Sequence, residues 1–414
     1  MQNKGRDVVS VHDFGAVGDG VADDTAALQA AFATGKSVIG VGGASYKVTA
    51  ALAYSASRQE FFGNGCRIVP SGNFNLFSAG GARYGCSLHN VTVDAAGMTG
   101  GYIFAVNTAD RITISDTIIY NPWNGVEVIK NNMCLLQNVY INNIRGTVGI
   151  RWYGDASNRS DVLRLIGVTM SSTTAHATGI DWDGNCHTLQ VQTLVIVGPN
   201  YGIRVRNTAG ATAPAFGMFD DLEVDFPTLD AVRIEAGEHF YFTPLLYLHG
   251  SVGGSGIYVS TSIPADHVMV TGGKITSHAR YGIENGTSGG SNSRVREINA
   301  FFLGNTLGNI QGPSMTRSLR FQLDNTGYFD FNGGNPLINF DANDFYLYNR
   351  TANRHSLNVN SAAQLIVGDG TLGFYGGSPV TKPTVTGSRG GNAALASLLT
   401  QLASLGLITD SSTA

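Results

Sequence analysis

The sequence is poor in charged residues and has no long apolar run. Only 14% of its 414 residues are charged, and 26 basic side chains against 30 acidic ones give a formal net charge of −4. Without a basic surplus, a nucleic-acid partner is not expected. No apolar segment approaches the roughly 20 residues that a membrane span needs, and the N-terminal MQNKGRDVV lacks the apolar core of a signal peptide. We therefore expect neither a membrane span nor a signal peptide.

Cysteine is also scarce, and its spacing matches no metal or redox motif. The four cysteines, Cys66, Cys86, Cys134 and Cys186, contain no C-x-x-C pair, and no histidines cluster at ligand spacing. We expect free thiols in the core or in turns. The nine histidines are scattered along the chain. Neither a metal site nor a cofactor is predicted.

Glycine is abundant, and it marks a repeat. A glycine or small residue followed by an apolar, a polar and another apolar residue recurs at intervals of 23 to 30 residues. A second series of short apolar segments, from NVTVDA at 90 to NAFFLG at 299, runs out of phase with the first at intervals of 22 to 29 residues. Two strand series with one period indicate a coil that returns to the same place in every repeat. The copies of the first series are GVEV at 125, GIRW at 149, GIDW at 179, GIRV at 202, AVRI at 231, GIYV at 256 and GIEN at 282.

A parallel β-helix is the architecture that this periodicity predicts. Short strands that alternate apolar and polar residues are not the stripes of helical repeats. A propeller blade needs about 40 residues, and the strands of a sandwich keep no such register. We expect the coil over residues 51–310, after an N-terminal cap and first strands over 1–50, with successive coils stacked about 4.8 Å apart.

The stretch HDFGAVGDGVADDTAALQAAF, residues 12–32, combines glycines and aspartates with a short helix. Its glycine spacing does not match a dinucleotide loop, and its aspartate spacing does not match a calcium loop. The helix would place Leu28, Ala31 and Phe32 on one face, with Asp23 or Asp24 as its cap. We interpret this helix as the lid that closes the exposed end of the coil.

The run D-F-G-A-x-G-D-G-x-x-D-D-T-x-x-x-Q, from Asp13 to Gln29, closely resembles the N-terminal signature of the pectate-lyase-like superfamily, in particular of phage tailspikes and depolymerases. The following VIGVGGASYKV, residues 38–48, is similar to the first strand and turn of that family. The resemblance implies a right-handed parallel β-helix, usually a homotrimer, whose lateral grooves bind bacterial surface polysaccharide. The signature itself is structural and carries no catalytic residue.

The repeats stop near residue 311, where the pattern changes. Short strands between tight turns predict a small β-rich domain over 311–378, and a segment rich in Pro, Gly, Ser and Thr predicts a linker over 379–391. Residues 392–414 contain a short apolar helix, expected to form a three-chain bundle or to cap its own subunit. This ending also resembles the C-terminal tail of some phage tail proteins, which implies assembly with other tail or baseplate proteins. The predicted fold class is thus all-β, a right-handed parallel β-helix with an N-terminal capping helix, a small C-terminal β domain and a short C-terminal helix.

The polar positions of the first series predict a groove. The second and fourth residues of each repeat should face inward, which places Trp152 and Trp182 in the core. The remaining residues then form two outward columns whose carboxylates, guanidiniums and tyrosines suit an extended acidic glycan, although an exposed ladder of ion pairs would have the same composition. The first column is Glu127, Arg151, Asp181, Arg204, Arg233, Tyr258 and Glu284, and the second is Ile129, Tyr153, Asp183, Arg206, Glu235 and Ser260.

The second series leaves apolar side chains on the outside, which predicts a face covered by another subunit. In its middle, Glu223 and Asp225 protrude from one strand, and one of two such close carboxyls should have a raised pKa. A glycosidase needs an acid and a base in such a setting. Alternatively, the pair would bind an arginine of the next chain. The outward apolar residues are Ile118, Tyr140, Val195, Val197, Leu246, Leu248, Phe301 and Leu303.

Together, these features predict a homotrimeric spike of the virion tail that binds a capsule or O-antigen and hydrolyses its glycosidic bonds. Two alternatives stay open: a lyase, in which arginine neutralises a uronate while a base removes the C5 proton, and a receptor-binding spike without catalysis. The candidate catalytic residues are Glu223, Asp225, Asp183, Glu235 and, secondarily, Asp181. The candidate substrate-binding residues are Glu127, Arg151, Arg204, Arg206, Arg233, Tyr258 and Trp123, the last of which lies in the turn NPWNG and would either stack on a sugar or anchor its loop.

Overall fold

The chain forms two compact units, Met1–Ser318 and Leu319–Ala414, in a computed structural model. The first unit consists of two parallel sheets of seventeen and eleven strands, and the second contains a six-stranded sheet and a two-stranded sheet. The structure describes residues 8–173, 177–208, 210, 212–260, 263, 267–285, 295–311, 337–339, 345–349, 354–359, 362–368, 371–374, 380–404 and 406–414. Among these residues, no helix is long and apolar enough to cross a membrane.

The N-terminal segment contains the predicted helix. Leu28, Ala31 and Phe32 are buried, as the sequence pattern indicates. The elements of this segment are β1 (Val8–Ser10), a 3-10 helix (Val11–Phe14), β2 (Asp19–Asp23), α1 (Thr25–Ala33), β3 (Ser37–Ile39), β4 (Ser45–Val48) and β5 (Leu52–Ala53).

The aspartates of the N-terminal motif hold turns. Asp24 occupies the N-cap position of α1, but its carboxylate accepts hydrogen bonds from the backbone N–H groups of Val17 at 2.6 Å and Gly18 at 3.2 Å. Asp23 instead accepts from the backbone N–H of Thr25 at 3.0 Å. The motif therefore ties the glycine turn to the start of the helix.

The coil follows from residue 60 to residue 311. Its strands are β6 (Glu60–Asn73), β7 (Phe77–Gly80), β8 (Ser87–Asp94), β9 (Gly97–Gly100), β10 (Tyr102–Asn107), β11 (Ile112–Tyr120), β12 (Asn124–Ile129), β13 (Met133–Ile144), β14 (Val148–Gly154), β15 (Val162–Ser172), β16 (Thr178–Gly184), β17 (His187–Val197), β18 (Tyr201–Arg206), β19 (Ala215–Asp225), β20 (Val232–Ile234), β21 (Glu238–His249), β22 (Ile257–Val259), β23 (Val268–Thr271), β24 (Lys274–Thr276), β25 (Tyr281–Asn285), β26 (Val295–Ile298), β27 (Phe301–Leu303) and β28 (Gly308–Gln311).

The glycine-led repeats form the eleven-stranded sheet, here called the narrow sheet, which contains β5, β7, β10, β12, β14, β16, β18, β20, β22, β25 and β28. The other strands of the first unit form the seventeen-stranded wide sheet. Several wide-sheet strands bend in the middle at a residue with positive φ, including Asn138 (φ 51°) and Thr193 (φ 62°). These residues divide the outer surface of the wide sheet into a first half and a second half.

The glycines of the repeat lie where neighbouring coils approach closely. A Cβ atom on Gly149 would lie 2.7 Å from the carbonyl oxygen of Gly179, and one on Gly179 would lie 2.5 Å from that of Gly202. Beside them, Trp152 and Trp182 are fully buried, with ring centroids 5.1 Å apart. The interior of the coil therefore contains both indoles.

Two leucines expected on the outside are inside, which corrects the sequence-based phase of β21. Leu246 and Leu248 are 3% and 0% exposed. The register with β19 shifts between Phe219 and Asp221, which pairs with Leu245, so the outward positions in the second half of β21 lie one residue away from those that its sequence suggested. Consequently Tyr247 and His249 face outward instead.

All four cysteines are buried and free. Burial raises the pKa of the Cys66 and Cys134 thiols to about 12, so these groups stay protonated and unreactive at neutral pH.

The second unit contains an antiparallel sheet of six strands, β29 to β34, and a parallel pair, β35 and β36, connected through α2. The predicted linker thus contains β35, and a strand follows the C-terminal helix. Strands predicted over residues 319–334 lie outside the described residues. The elements are β29 (Leu337–Asn339), β30 (Phe345–Asn349), β31 (Arg354–Val359), β32 (Ala362–Gly368), β33 (Thr371–Phe374), β34 (Val380–Thr381), β35 (Thr384–Ser388), α2 (Ala393–Ser404) and β36 (Thr409–Thr413).

Candidate functional site

The narrow sheet aligns the first outward column along successive strands. The in-register residues are Glu127, Arg151, Asp181, Arg204, Arg233, Tyr258 and Glu284. In the second column, Tyr153, Asp183 and Arg206 are likewise in register. The strands pair in parallel with the glycine at the same position in each repeat. Equivalent residues therefore face the same side of the sheet in successive strands and form columns.

Asp181 and Asp183 are bound by Arg206 and are not free carboxylates. The guanidinium of Arg206 donates two hydrogen bonds to Asp181, at 2.8 and 2.6 Å, and its Nε lies 3.6 Å from Asp183 Oδ2. Asp183 also accepts a hydrogen bond from the backbone N–H of Thr208 at 2.8 Å. With 2% of its surface exposed, Asp183 is poorly placed to reach a substrate.

Glu235 is held by two arginines. It accepts hydrogen bonds from Arg204 at 2.9 and 3.2 Å and from Arg233 at 2.7 Å. Burial alone would raise the pKa of Glu235, but the hydrogen bonds and charges of Arg204 and Arg233 outweigh it and lower the pKa. Glu235 is thus an anion at neutral pH and a poor proton donor. The candidate catalytic residues Asp183 and Glu235 are thus each engaged by arginine side chains.

Arginines and tyrosines alternate along the same face. Arg233 lies over the ring of Tyr258 at 4.2 Å, and both Arg204 and Arg233 approach the ring of Tyr201, at 5.2 and 5.7 Å. Beside them is an open, mainly polar pocket of about 320 Å³, called the arginine pocket. It is lined by Tyr102, Thr147, Val148, Arg151, Thr178, Asp181, Arg204 and Arg206.

Trp123 lies away from this pocket lining. It is partly buried against the core, and the guanidinium of Arg145 lies 6.0 Å from its ring centre. This side chain anchors its loop.

Glu223 and Asp225 lie on the outside of the second half of the wide sheet. On the preceding coil they pair with Val195 and Val197, and on the next with Tyr247 and His249. The following coils continue with Lys274 and Thr276, then with Phe301 and Leu303. The two carboxyls therefore have an apolar neighbour on one side and a polar, titratable one on the other.

The environment of Glu223 favours its protonated form. Burial raises the pKa of Glu223, and so do a hydrogen bond to the Asp225 side chain and repulsion from Asp225 and Asp221. Asp225 Oδ1 lies 3.4 Å from His249 Nδ1. A proton shared between two carboxyls, next to an imidazole, can be donated and recovered in an acid–base reaction.

Three further side chains adjoin this pair. The rings of Tyr247 and His249 stack with centroids 5.8 Å apart, and Lys274 Nζ lies 5.2 Å from the Tyr247 ring. Glu223, Asp225, Tyr247, His249 and Lys274 are together called the carboxyl cluster. The sequence pattern did not reveal Tyr247 and His249, because the phase error in β21 assigned the outward positions to Leu246 and Leu248. Lys274, on β24, was not among the predicted site residues.

Solved structures with this architecture include tailspikes. Tailspike protein 3 of bacteriophage CBA120 aligns over 86% of this chain and 69% of its own, with 13% sequence identity and a TM-score of 0.52. The fold is that of a phage tailspike. It is a right-handed parallel β-helix, as the N-terminal motif implies.

More distant structures also align with this tailspike-type β-helix. The A-module of the Azotobacter vinelandii mannuronan C-5 epimerase AlgE6 aligns over 74% of the chain and 100% of its own, with 15% identity and a TM-score of 0.45. A tailspike protein of E. coli bacteriophage HK620, solved with a pentasaccharide, covers 74% of this chain and 67% of its own, with 12% identity and a TM-score of 0.41. No protein-family model matches the sequence, and no match is found among curated proteins.

Proposed function

We propose that this tailspike-type β-helix binds a bacterial surface polysaccharide and hydrolyses its glycosidic bonds at Glu223 and Asp225. The observation that carries the proposal is the raised pKa of Glu223, produced by burial and by the hydrogen bond to Asp225. A proton held in this way on an outward face is available to a leaving glycosidic oxygen.

In the proposed reaction, Glu223 donates its proton to the glycosidic oxygen as the bond to the anomeric carbon breaks. Asp225 then acts as the base that takes a proton from the attacking water, or as the nucleophile. Because the two residues are two apart on one strand, their backbones are about 7 Å apart. Once the shared proton has left, repulsion between the two carboxylates favours the separation of about 5 to 9.5 Å that glycosidases use.

The arginine pocket supports an acidic substrate. Arg151 is 36% exposed at its side chain and donates a hydrogen bond to Glu127 at 2.9 Å, with Tyr102 as a further partner. Guanidinium groups bind sugar carboxylates or phosphates through paired hydrogen bonds. We propose that this pocket binds an acidic residue of the glycan.

The stacked Tyr247 and His249 support a second candidate, a polysaccharide lyase. In that reaction Lys274 would neutralise a uronate carboxylate while the His249 imidazole removes the C5 proton and the Tyr247 phenol donates its proton to the leaving oxygen. The 5.2 Å between Lys274 Nζ and the Tyr247 ring places a cation beside this proton donor. In this proposal Lys274, and not an arginine of the narrow sheet, neutralises the uronate, because those arginines are already bound to carboxylates.

The test is incubation with a panel of acidic and neutral bacterial surface polysaccharides, following reducing ends and the absorbance of an unsaturated uronate together. Reducing ends without absorbance support hydrolysis, and both signals support the lyase. Neither signal, with binding retained, leaves a receptor-binding spike and refutes both enzymes.

Variants locate the reaction. We expect Glu223→Gln and Asp225→Asn each to reduce the rate of hydrolysis at least 100-fold, as loss of an acid–base group does, with binding retained. Asp94→Asn is the control because Asp94 is a carboxyl on an earlier strand of the same sheet, in register with Tyr120 and Asn142. Full activity of the Glu223 variant would contradict the assignment.

We also propose a homotrimer in the virion tail. The outward side chains of the second half include Ile118, Tyr140, Phe301 and Leu303, which are 37%, 37%, 45% and 60% exposed. Exposed apolar side chains on one face of a sheet are expected to be covered by another copy. Sedimentation equilibrium measures the oligomeric state, and a monomer at micromolar concentration would refute the proposed homotrimer.

A further inference from the structure

Three side chains of the types that bind metals lie together outside both the arginine pocket and the carboxyl cluster. Glu238 and His239 begin β21, and His267 directly precedes β23 on the next coil. One carboxylate oxygen and one ring nitrogen from each histidine all lie within 4.8 Å of one another.

The stacking of coils brings these residues together. Phe240 pairs with Val268, and the backbone N–H of Phe240 donates to the carbonyl of His267 at 2.8 Å. His239 and His267 therefore occupy adjoining positions, and their rings stack with centroids 4.5 Å apart and planes 18° apart.

The backbone at His239 is left-handed, with φ of 62°. Successive side chains of a regular strand point to opposite faces, so a left-handed residue here interrupts the alternation and lets Glu238 and His239 reach one site. Thr188 and Phe216, at the start of the two preceding wide-sheet strands, are also left-handed. The left-handed residue at this position is thus repeated in successive coils. The coil of β21 differs from the two before it in having Glu238 and His239 there.

One polar atom of the group has no hydrogen bond within the described part of the chain. His267 Nδ1 is buried and has no hydrogen-bond partner among the described residues, with Glu238 Oε2 3.5 Å away. Stacking of Phe216, His239 and His267 accounts for the rings but leaves this nitrogen unsatisfied. A metal ion would satisfy it.

The ligand types suit a tetrahedral ion, and binding would turn at least one imidazole out of the ring stack so that both in-plane nitrogen lone pairs point at the ion. Bonds of 2.0 to 2.1 Å separate tetrahedral ligand atoms by about 3.4 Å, so ligand atoms that lie within 4.8 Å of one another need to close by up to about 1.4 Å. Two imidazoles and a carboxylate are a ligand set of Zn²⁺ sites that keep an open position, and imidazole disfavours Mg²⁺ and Ca²⁺. The Glu238 side chain is 48% exposed, so an ion can enter from solvent.

We propose that Glu238, His239 and His267 bind a divalent transition-metal ion, with Zn²⁺ as the best match. The ion would clamp two successive coils where β21 pairs with two separate strands, β23 and β24. His239 and His267, which lie 28 positions apart in the sequence, were among the histidines with no predicted role.

The experiment is calorimetric titration of Zn²⁺ into the tag-free full chain after removal of metals with a chelator. The expected result is one ion per chain, a higher melting temperature with Zn²⁺, and no such change with Mg²⁺. Co²⁺ provides an optical check, because tetrahedral Co²⁺ absorbs visible light strongly.

Variants identify the ligands. His239→Gln and His267→Gln are expected to weaken binding at least tenfold, whereas His89→Gln, a histidine on an earlier wide-sheet strand, leaves it unchanged. Glu238→Gln removes a ligand without disturbing the ring stack and keeps the test valid if a histidine variant fails to fold. Absence of saturable binding, or equal affinity in the ligand variants and His89→Gln, would overturn the proposal.

Discussion

Arg206 is the residue whose loss should destabilise the narrow sheet most specifically. Its guanidinium lies between two carboxylates, Asp181 and Asp183, that are only 8% and 2% exposed. Arg206→Ala would leave both without their shared counterion. Breaking a buried pair costs about 3–5 kcal/mol, and an exposed pair contributes less than about 1 kcal/mol. Because the Arg206 side chain is itself 28% exposed, we expect a loss of about 2–4 kcal/mol in the free energy of unfolding.

Urea unfolding followed by tryptophan fluorescence measures this loss close to its source, since Trp182 lies between the two aspartates on β16. Arg159→Ala is the control, because Arg159 pairs with Asp161 at the surface and is 54% exposed. Its cost should stay below about 1 kcal/mol. The double variant Arg206→Ala/Asp181→Asn should recover part of the loss, since it removes one uncompensated charge. A loss no larger than that of Arg159→Ala, or a further loss on adding Asp181→Asn, would refute the reasoning.

Three further predictions concern stability. Burial lowers the pKa of His278 to about 4. Its stabilising contribution of about 3 kcal/mol is therefore present above pH 6.5 and is lost as the pH falls towards 4. The free energy of unfolding measured against pH should show this slope in the native chain and not in His278→Gln. Glu223 should have the opposite effect on the pH dependence of stability, because its pKa is raised: its contribution to stability is complete below its unfolded pKa and is lost as the pH rises through its folded pKa. Glu223→Gln should therefore stabilise the fold at pH 7, by less than about 1 kcal/mol for a half-exposed group. Destabilisation of this variant in thermal unfolding would contradict this. Gly179→Ala forces a Cβ to 2.5 Å from the Gly202 carbonyl oxygen and should cost about 1–3 kcal/mol, whereas Ala231→Gly at the equivalent repeat position should cost only about 0.5–1 kcal/mol; equal urea midpoints for the two would count against the close-approach argument.

The sequence determined the narrow sheet well because glycine marks its phase. Each repeat begins with glycine or alanine, because the neighbouring coil leaves no room for a larger side chain there. The residues that follow, such as Arg151 and Asp181, are therefore in register as expected. No such marker precedes Leu246. The register of its strand shifts just before Leu245, which looks like any apolar strand residue, and the predicted phase was therefore wrong by one position.

Side-chain partners were less predictable than columns. In the register of the strands Arg206 lies opposite Asp183, and Arg204 lies opposite Asp181. The arginine side chain is long enough to reach diagonally, however, and Arg206 donates its hydrogen bonds to Asp181. Which diagonal forms depends on rotamers and burial, which the repeat pattern does not contain. The pairing of His239 with His267 was in principle visible, since their separation falls within the range of one repeat.

The diagonal ion pairs also affect how the coil unfolds. In a solenoid, stability is approximately a sum of terms for each repeat and for each contact between neighbours, so a weak repeat can open on its own. Arg206 reaches from β18 back to β16, and Glu235 receives Arg204 from β18 and Arg233 from β20. These contacts strengthen the neighbour terms over the repeats around the arginine pocket. The middle of the coil should consequently unfold as one cooperative block, while the repeats towards either end fray independently, and amide hydrogen exchange across these strands would reveal that boundary.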